Sequence, residues 1–277
     1  MDFTLYWFMF PIAIMVATMA MLSGIGGTAL FMPIFLLLFP ALGHQYQLTD
    51  PVTAIAAALL TSSFGFISGY IGYYRKGLID FKQGYLFVWI SIPFAIIGVL
   101  VAHLISAEAL RLFYGALLFL LAYLMIMGFT ISAGGKNSTD IPGTIKDYTY
   151  FIYRPKKLLT ALGGLLTGML STGIGEVVMP QLVKDGKLPV GVAAASSVLV
   201  VMVTMIIASL AHIITLVNNE GFEAVPWHLV CYTIPGVVIG GQLGPALQGR
   251  IPRRVMTTAI GLLFVFLGIG MLKTTLF

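Results

Sequence analysis

The chain writes one awkward stretch twice. Met21-Leu-Ser-Gly-Ile-Gly-Gly-Thr-Ala-Leu-Phe-Met-Pro33 returns as Met169-Leu-Ser-Thr-Gly-Ile-Gly-Glu-Val-Val-Met-Pro180, both reading Met-Leu-Ser, Gly-Ile-Gly and Met-Pro. Each copy interrupts an apolar run, in a chain 59% hydrophobic and only 9% charged, against about 25% charged in soluble domains. The mean hydropathy is +1.00, that of an integral membrane protein. Glycines weaken a helix. The proline has no N–H, so it leaves the carbonyl four residues back, on Ala29 or Glu176, without a helical partner. In hydrocarbon such a backbone survives only where protein or a water-filled cavity satisfies it. Paired interruptions in two halves point to a transporter's binding site.

Apolar segments run over 3–40, 51–74, 84–106, 109–130, 158–183, 188–217, 226–248 and 254–276, and helix is the expected state of each. The opening Met-Asp-Phe-Thr-Leu-Tyr-Trp has no basic stretch and no small-residue cleavage site. It is expected to belong to the first membrane segment and not to a removable signal. The stretch 131–157 opens polar and glycine-rich and then turns aromatic at Tyr148, Tyr150, Phe151 and Tyr153. It predicts a cytoplasmic linker, as plain loop or short interfacial hairpin. The chain then divides into a first transmembrane repeat at 1–130 and a second at 158–277. The repeat extends past the glycines: Pro51-Val-Thr-Ala-Ile-Ala-Ala matches Pro189-Val-Gly-Val-Ala-Ala-Ala, and Ile92-Pro93 matches Ile234-Pro235. Gly98 and Gly240 follow those prolines by five residues, Arg111 and Arg253 by eighteen.

Charge decides between two topologies. Eight plain crossings make the halves parallel and split the fifteen basic residues nine to six. If the two glycine-broken segments are re-entrant hairpins, six segments cross and the halves are inverted. All the basic residues except Arg111 and Lys273 then share the cytoplasmic face, as positive-inside sorting favours. Arg75 and Lys76 in one loop are matched by Glu220 and Glu223 in the other, opposite charges as inversion requires. The ten residues from Glu176 to Asp185 make ~15 Å of helix, half a ~30 Å core, whereas 3–22 at ~30 Å could span alone. The expected fold is therefore an all-α membrane protein of two inverted repeats, each a glycine-broken re-entrant hairpin plus three transmembrane helices. Its place is the cell (inner) membrane, with both termini outside. Gly65xxxGly69, Gly164xxxGly168, Gly236xxxGly240 and Gly240xxxGly244 offer close helix contacts.

The candidate substrate-binding residues flank the breaks: Ser23, Gly24, Gly26, Gly27 and Thr28 in one half, Ser171, Thr172, Gly173, Gly175 and Glu176 in the other. Each break precedes a short helical arm whose N-terminus carries about half a positive charge and unpaired N–H donors. Two such ends converging make an anion site without lysine. The hydroxyls of Ser23, Thr28, Ser171 and Thr172 add donors for a small oxyanion. Thr61, Ser62, Ser63, Ser196 and Ser197, on the following helices, are weaker candidates, since membrane hydroxyls usually bond their own backbone or a neighbour. Glu176 stands alone as a carboxylate within a predicted membrane segment. It reads either as a proton-coupling group or as a charged cap at a helix N-terminus. His103, His212 and His228 fall near predicted segment ends and are expected at the interface, with His44 in a loop.

Several classes fall away. The net charge of +5 sits in short loops and implies no nucleic acid. Cys231, the one cysteine, excludes an internal disulfide and a CxxC pair. No GxxxxGK[ST] loop is present, so no nucleotide is expected, nor a cofactor or metal. An intramembrane hydrolase pairing Ser23 or Ser171 with His212 would lack a GxSxG motif. A cation carrier using Glu176 and exposed hairpin carbonyls remains the alternative.

On Gly24 to Gly27, Pro33, Pro51 to Ser63, Arg75-Lys-Gly-Leu-Ile-Asp80 and the second Gly-Ile-Gly with Met-Pro, the chain resembles the sulfite exporter TauE/SafE family over nearly its whole length. The resemblance implies a multi-pass transporter of sulfite, sulfonates or related small organic anions. Glu176 departs from the family, which often has another glycine there. A carboxylate would repel a dianion unless protonated or shielded. The lipid bilayer and the anion are the expected partners, and a homodimer is one assembly the sequence allows.

Overall fold

The computed structural model describes residues 5–23, 28–48, 50–132, 153–247 and 253–276, and all regular structure among them is helical. The helices are α1 Met9–Ser23, α2 Thr28–Pro33, α3 Phe39–Leu42, α4 Pro51–Arg75, α5 Phe81–Leu104 and α6 Ala107–Ser132, then α7 Lys157–Leu170, α8 Ile174–Pro180, α9 Val190–Glu220, α10 Trp227–Leu247 and α11 Arg253–Leu276. Among the described residues five helices, α4, α5, α6, α9 and α10, are long and apolar enough to cross a membrane. Trp89, Leu104 and Phe266 are at least 74% exposed, the apolar exterior expected against lipid. The aromatic part of the 131–157 linker at Tyr148, Tyr150 and Phe151 lies outside the described residues.

The helices beside the two breaks are short. α1 has 15 residues and α7 has 14, ~22 Å each and less than the ~30 Å of a bilayer core. Each arm that follows carries a proline, Pro33 or Pro180, and then widens at once into a π-helical turn, Ile34–Leu38 or Gln181–Asp185. The proline withholds its N–H and pushes back the carbonyl one turn earlier, and the ladder resumes at wider spacing. Both arms fold back. Ile174 N–H donates to Thr167 Oγ1 at the tip of the second hairpin, and Lys156 N–H donates to Gln181 Oε1 at its base. There Lys156 also pairs with Asp185 at 2.9 Å, and its hydrogen bond holds the exposed Asp185 carboxyl below its usual range. In the first hairpin the Tyr6 ring packs on Phe39 and Tyr46, and its hydroxyl donates to the Tyr46 carbonyl at 3.0 Å.

At the centre lie α4 and α9, the helices that begin with the matching Pro51 and Pro189 runs. Their apolar windows are 83% and 67% buried, against 39% for α5 and α6. Alanines let them approach: Ala54, Ala56, Ala57 and Ala58 face inward, as do Ala193, Ala194 and Ala195, all fully buried. Around this pair the halves exchange partners. α1 packs on α10 of the other half and α7 on α5, while α4 meets α10 and α9 meets α5. The registers rise together. Thr61 meets Thr233, Gly65 meets Val237 and Gly72 meets Pro245, so α4 and α10 run the same way. Asp80 meets Ser196 and Ser91 meets Thr204, so α5 and α9 do too. Ser91 and Thr233 each stand two residues before the matching Pro93 and Pro235, and each hydroxyl bonds across to the other half at 2.8 Å.

The expected glycine contacts form. A Cβ on Gly164 would lie 2.5 Å from the Ser91 carbonyl oxygen, and one on Gly236 would lie 2.6 Å from that of Phe10. Gly98 and Gly240 sit tighter still, on the carbonyls of Leu165 and Ile14. Backbone touches backbone at both swapped contacts, so only glycine fits. One expectation fails: His212 is not interfacial but fully buried, because α9 runs for 31 residues through the centre and carries it inside. Replacing Gly164 or Gly236 by leucine should cost about 1–3 kcal/mol or more by overpacking, seen as a lower midpoint of thermal unfolding in detergent. Leu104→Ala, at a side chain 86% exposed, should shift it by less than about 0.5 kcal/mol. Equal midpoints for Gly164→Leu and the native chain would contradict the α5–α7 contact.

Candidate functional site

The second break is built from residues that hold unusual backbone. Ser171 follows α7 in the left-handed region at φ 62°, and Gly173 precedes α8 at φ 140°. A Cβ on Gly173 would lie 2.8 Å from that of Leu166, so glycine is required there for space as well as for φ. Between them Thr172 turns its hydroxyl to Glu176 Oε1 at 2.9 Å, while Gly173 N–H donates to Glu176 Oε2 at 3.0 Å. With Ile174 N–H bonded to Thr167, two donors of this helix end are taken, fewer than the sequence suggested remain for a ligand, and the resident anion is Glu176 itself. The carboxylate is half-buried.

The first break meets it. Thr28, the first residue of α2, donates its hydroxyl to the Ser171 carbonyl, a bond joining residues 143 apart. Thr28, Ser171 and Thr172 are all 0% exposed. The Ser171 hydroxyl is also buried, and it has no hydrogen-bond partner among the described residues. A donor left unpaired in an apolar interior is costly.

Side chains from distant helices cap the carbonyls that the breaks expose. The Ala29 carbonyl, orphaned by Pro33, accepts from the Tyr114 hydroxyl of α6 at 2.9 Å. At the end of α1 the Met21 carbonyl accepts from Tyr73 of α4 at 2.9 Å, and at the end of α7 the Gly168 carbonyl takes a hydrogen bond from His212 Nε2 at 2.8 Å. Tyr73 and His212 sit at nearly the same distance after Pro51 and Pro189, so the two halves solve one problem with different side chains. Sequence reasoning missed all three; the available signal was a large polar-headed ring inside an apolar run.

Of the remaining candidates, Gly175 is buried in the first turn of α8, and Ser23 closes α1. Gly24, Gly26 and Gly27 lie outside the described residues. The helix hydroxyls mostly bond as membrane hydroxyls do: Thr61 with Thr233, Ser63 with the Leu59 carbonyl, Ser196 with the Asp80 amide. Ser62 differs, having no partner among the described residues. It lines a cavity of about 10 Å³ with Ala17, Ala20, Met21, Phe31, Gly65, Phe66 and Val237, room for about one water. Ser197 is buried on α9.

The chain is similar to known membrane proteins over almost all of its length. It is 22% identical over 272 residues to the probable membrane transporter protein YunE of Bacillus subtilis, covering 96% of this chain and 97% of that one. It is 24% identical over 251 residues to a probable membrane transporter protein of Xylella fastidiosa strain Temecula1, covering 90% and 87%. No solved structure matches. The model of the sulfite exporter TauE/SafE family matches residues 9–271, and this multi-pass membrane protein belongs to that transporter family.

Proposed function

We propose that the chain is a secondary transporter of a small sulfur-containing anion such as sulfite or a sulfonate, bound where the two breaks meet. The observation that carries this reading is the Thr28–Ser171 bond, which brings the start of one half-helix beside the break before the other, with the buried Ser171 hydroxyl lacking a partner among the described residues. The family's name supplies the substrate class. Glu176 holds the Thr172 hydroxyl and the Gly173 amide, the donors that an incoming oxyanion needs. Protonation of the carboxylate would weaken both bonds and release those donors, so that proton and anion move together. Both Glu176 oxygens already accept from donors, which tells against the cation carrier, whose ion would compete for them.

The two repeats, 1–130 and 158–277, would be inverted about the 131–157 linker, each contributing one re-entrant hairpin. Direction supports this. α4 runs with α10 and α5 with α9, while short connections make α4 oppose α5 and α9 oppose α10. The matching helices α4 and α9 therefore point opposite ways. The sorting of basic residues supports a cytoplasmic linker, and on this reading the protein would sit in the inner membrane with both termini outside.

Three measurements test the reading. In a Cys231→Ser background, single cysteines replacing Lys76 and Lys184 should label from the cytoplasm and one replacing Glu223 from outside; labelling of position 184 from outside alone would reject the inversion. Ser171→Ala removes a hydroxyl with no partner among the described residues, so unfolding should not become easier, while exchange of labelled sulfite in proteoliposomes should fall about tenfold or more, as for a lost hydrogen bond to a charged group. Unaltered exchange, with a panel of sulfonates included, would move the site elsewhere. Glu176→Gln mimics the protonated carboxyl and should still bind sulfite, yet its flux should no longer respond to an imposed pH gradient. Full pH-driven transport by this variant would leave Glu176 as a cap alone.

A further inference from the structure

His212 occupies a place where its chemistry exceeds its structural duty. The carbonyl of Gly168 can only accept, so the ring nitrogen bonded to it, Nε2, carries the hydrogen. In the neutral ring Nδ1 is then a bare acceptor. That Nδ1 is buried with no partner among the described residues, and so is Nε2 of His103 at the end of α5. The two rings lie side by side, centroids 5.2 Å apart. Near the end of the matching helix α1, the Met21 carbonyl, one position further along, is capped by Tyr73, a group that does not become cationic. Capping alone therefore explains neither the choice of imidazole nor two adjacent rings that each bury a nitrogen with no partner among the described residues.

We propose that His103 and His212 form a proton-binding pair that takes one proton from the face where α5 and α9 end and holds it for transport. A hydronium ion gives its proton to the part-exposed His103 ring and leaves as water. The proton then passes to His212 Nδ1, whose lone pair forms the new N–H bond as the one on His103 breaks. Burial works against a charge on His103, and the carboxylates of Asp50 at the start of α4 and Glu220 at the end of α9 work for it. Packed against α9, α8 contributes Glu176, engaged with Thr172 and Gly173, and α7 contributes the Gly168 carbonyl. One proton suffices, because two cationic rings at this spacing would repel each other in a medium of low dielectric. His212 lies one hydrogen bond from the last turn of α7, three residues before Ser171, so a charge gained there acts directly on the backbone of the break.

This inference rests on the proton-coupled reading above, and two readouts separate them. Protein labelled with ¹⁵N-histidine in lipid nanodiscs is titrated from about pH 8 to about pH 4, a window around the ordinary histidine range. The Nε2–H of His212 should persist throughout while Nδ1 gains its proton, and His103→Gln should move that midpoint by about one pH unit, tenfold in proton affinity. A His212 that stays neutral, or one that titrates identically in His103→Gln, overturns the pair. In proteoliposomes with sulfite as probe, His212→Gln keeps a donor for the Gly168 carbonyl. It should retain exchange at equal pH within about twofold yet lose at least tenfold of the accumulation driven by a pH gradient. Gradient-driven accumulation at the native level in His212→Gln overturns the proposal even if Glu176→Gln has lost it. Native protein that moves no sulfite at all rejects the substrate reading, and the titration then decides the pair by itself.

Discussion

Everything in this molecule follows from one requirement: a backbone broken inside an apolar medium must have its carbonyls and amides satisfied by the protein itself. The chain breaks its helices twice, and around each break a set of long-range hydrogen bonds replaces those lost. Tyr114 reaches Ala29, Tyr73 reaches Met21 and His212 reaches Gly168, each from a different helix. Thr28 reaches across to Ser171 and closes one break upon the other. In water such bonds would contribute about 0.5–1.5 kcal/mol each, but here the comparison is with a carbonyl facing hydrocarbon, and leaving it bare costs several kcal/mol.

Those reaches are possible because helices come very close. At Gly164 and Gly236 no Cβ could be accommodated against the facing carbonyl, and the alanines of α4 and α9 let the central pair nest. With no hydrophobic drive between helices in lipid, contact of this kind supplies the dispersion energy that holds the bundle. Partners are exchanged, α1 packing mainly onto α10 and α7 onto α5, so each short helix beside a break leans on a helix far away in the chain.

Glu176 illustrates how one residue serves two ends. Its carboxylate caps the amide of Gly173 and the hydroxyl of Thr172, which holds the start of α8 in order. On the proposed reading the same bonds would make it the competitor of an incoming oxyanion. A glycine at this position would then leave those donors open at all times.

Much of the architecture was legible in the residues. The second Gly-Ile-Gly located the break between α7 and α8, both Met-Pro pairs located the arms that widen, and Pro33 identified Ala29 as an orphan carbonyl, which Tyr114 caps. Gly98 and Gly240, equidistant from their prolines, proved to be equivalent contacts. These were readable because they are local: glycine and proline act on the backbone within a turn, and hydropathy acts over one span. What only the tertiary structure decided was which helix meets which. Nothing in the local pattern says that Tyr114 faces α2, that Thr28 touches Ser171, or that His212 lies buried beside His103. Such pairings depend on how helices from opposite halves are packed and rotated, and lipid-facing and protein-facing apolar residues look alike in a sequence, so they become visible only once the helices are packed together.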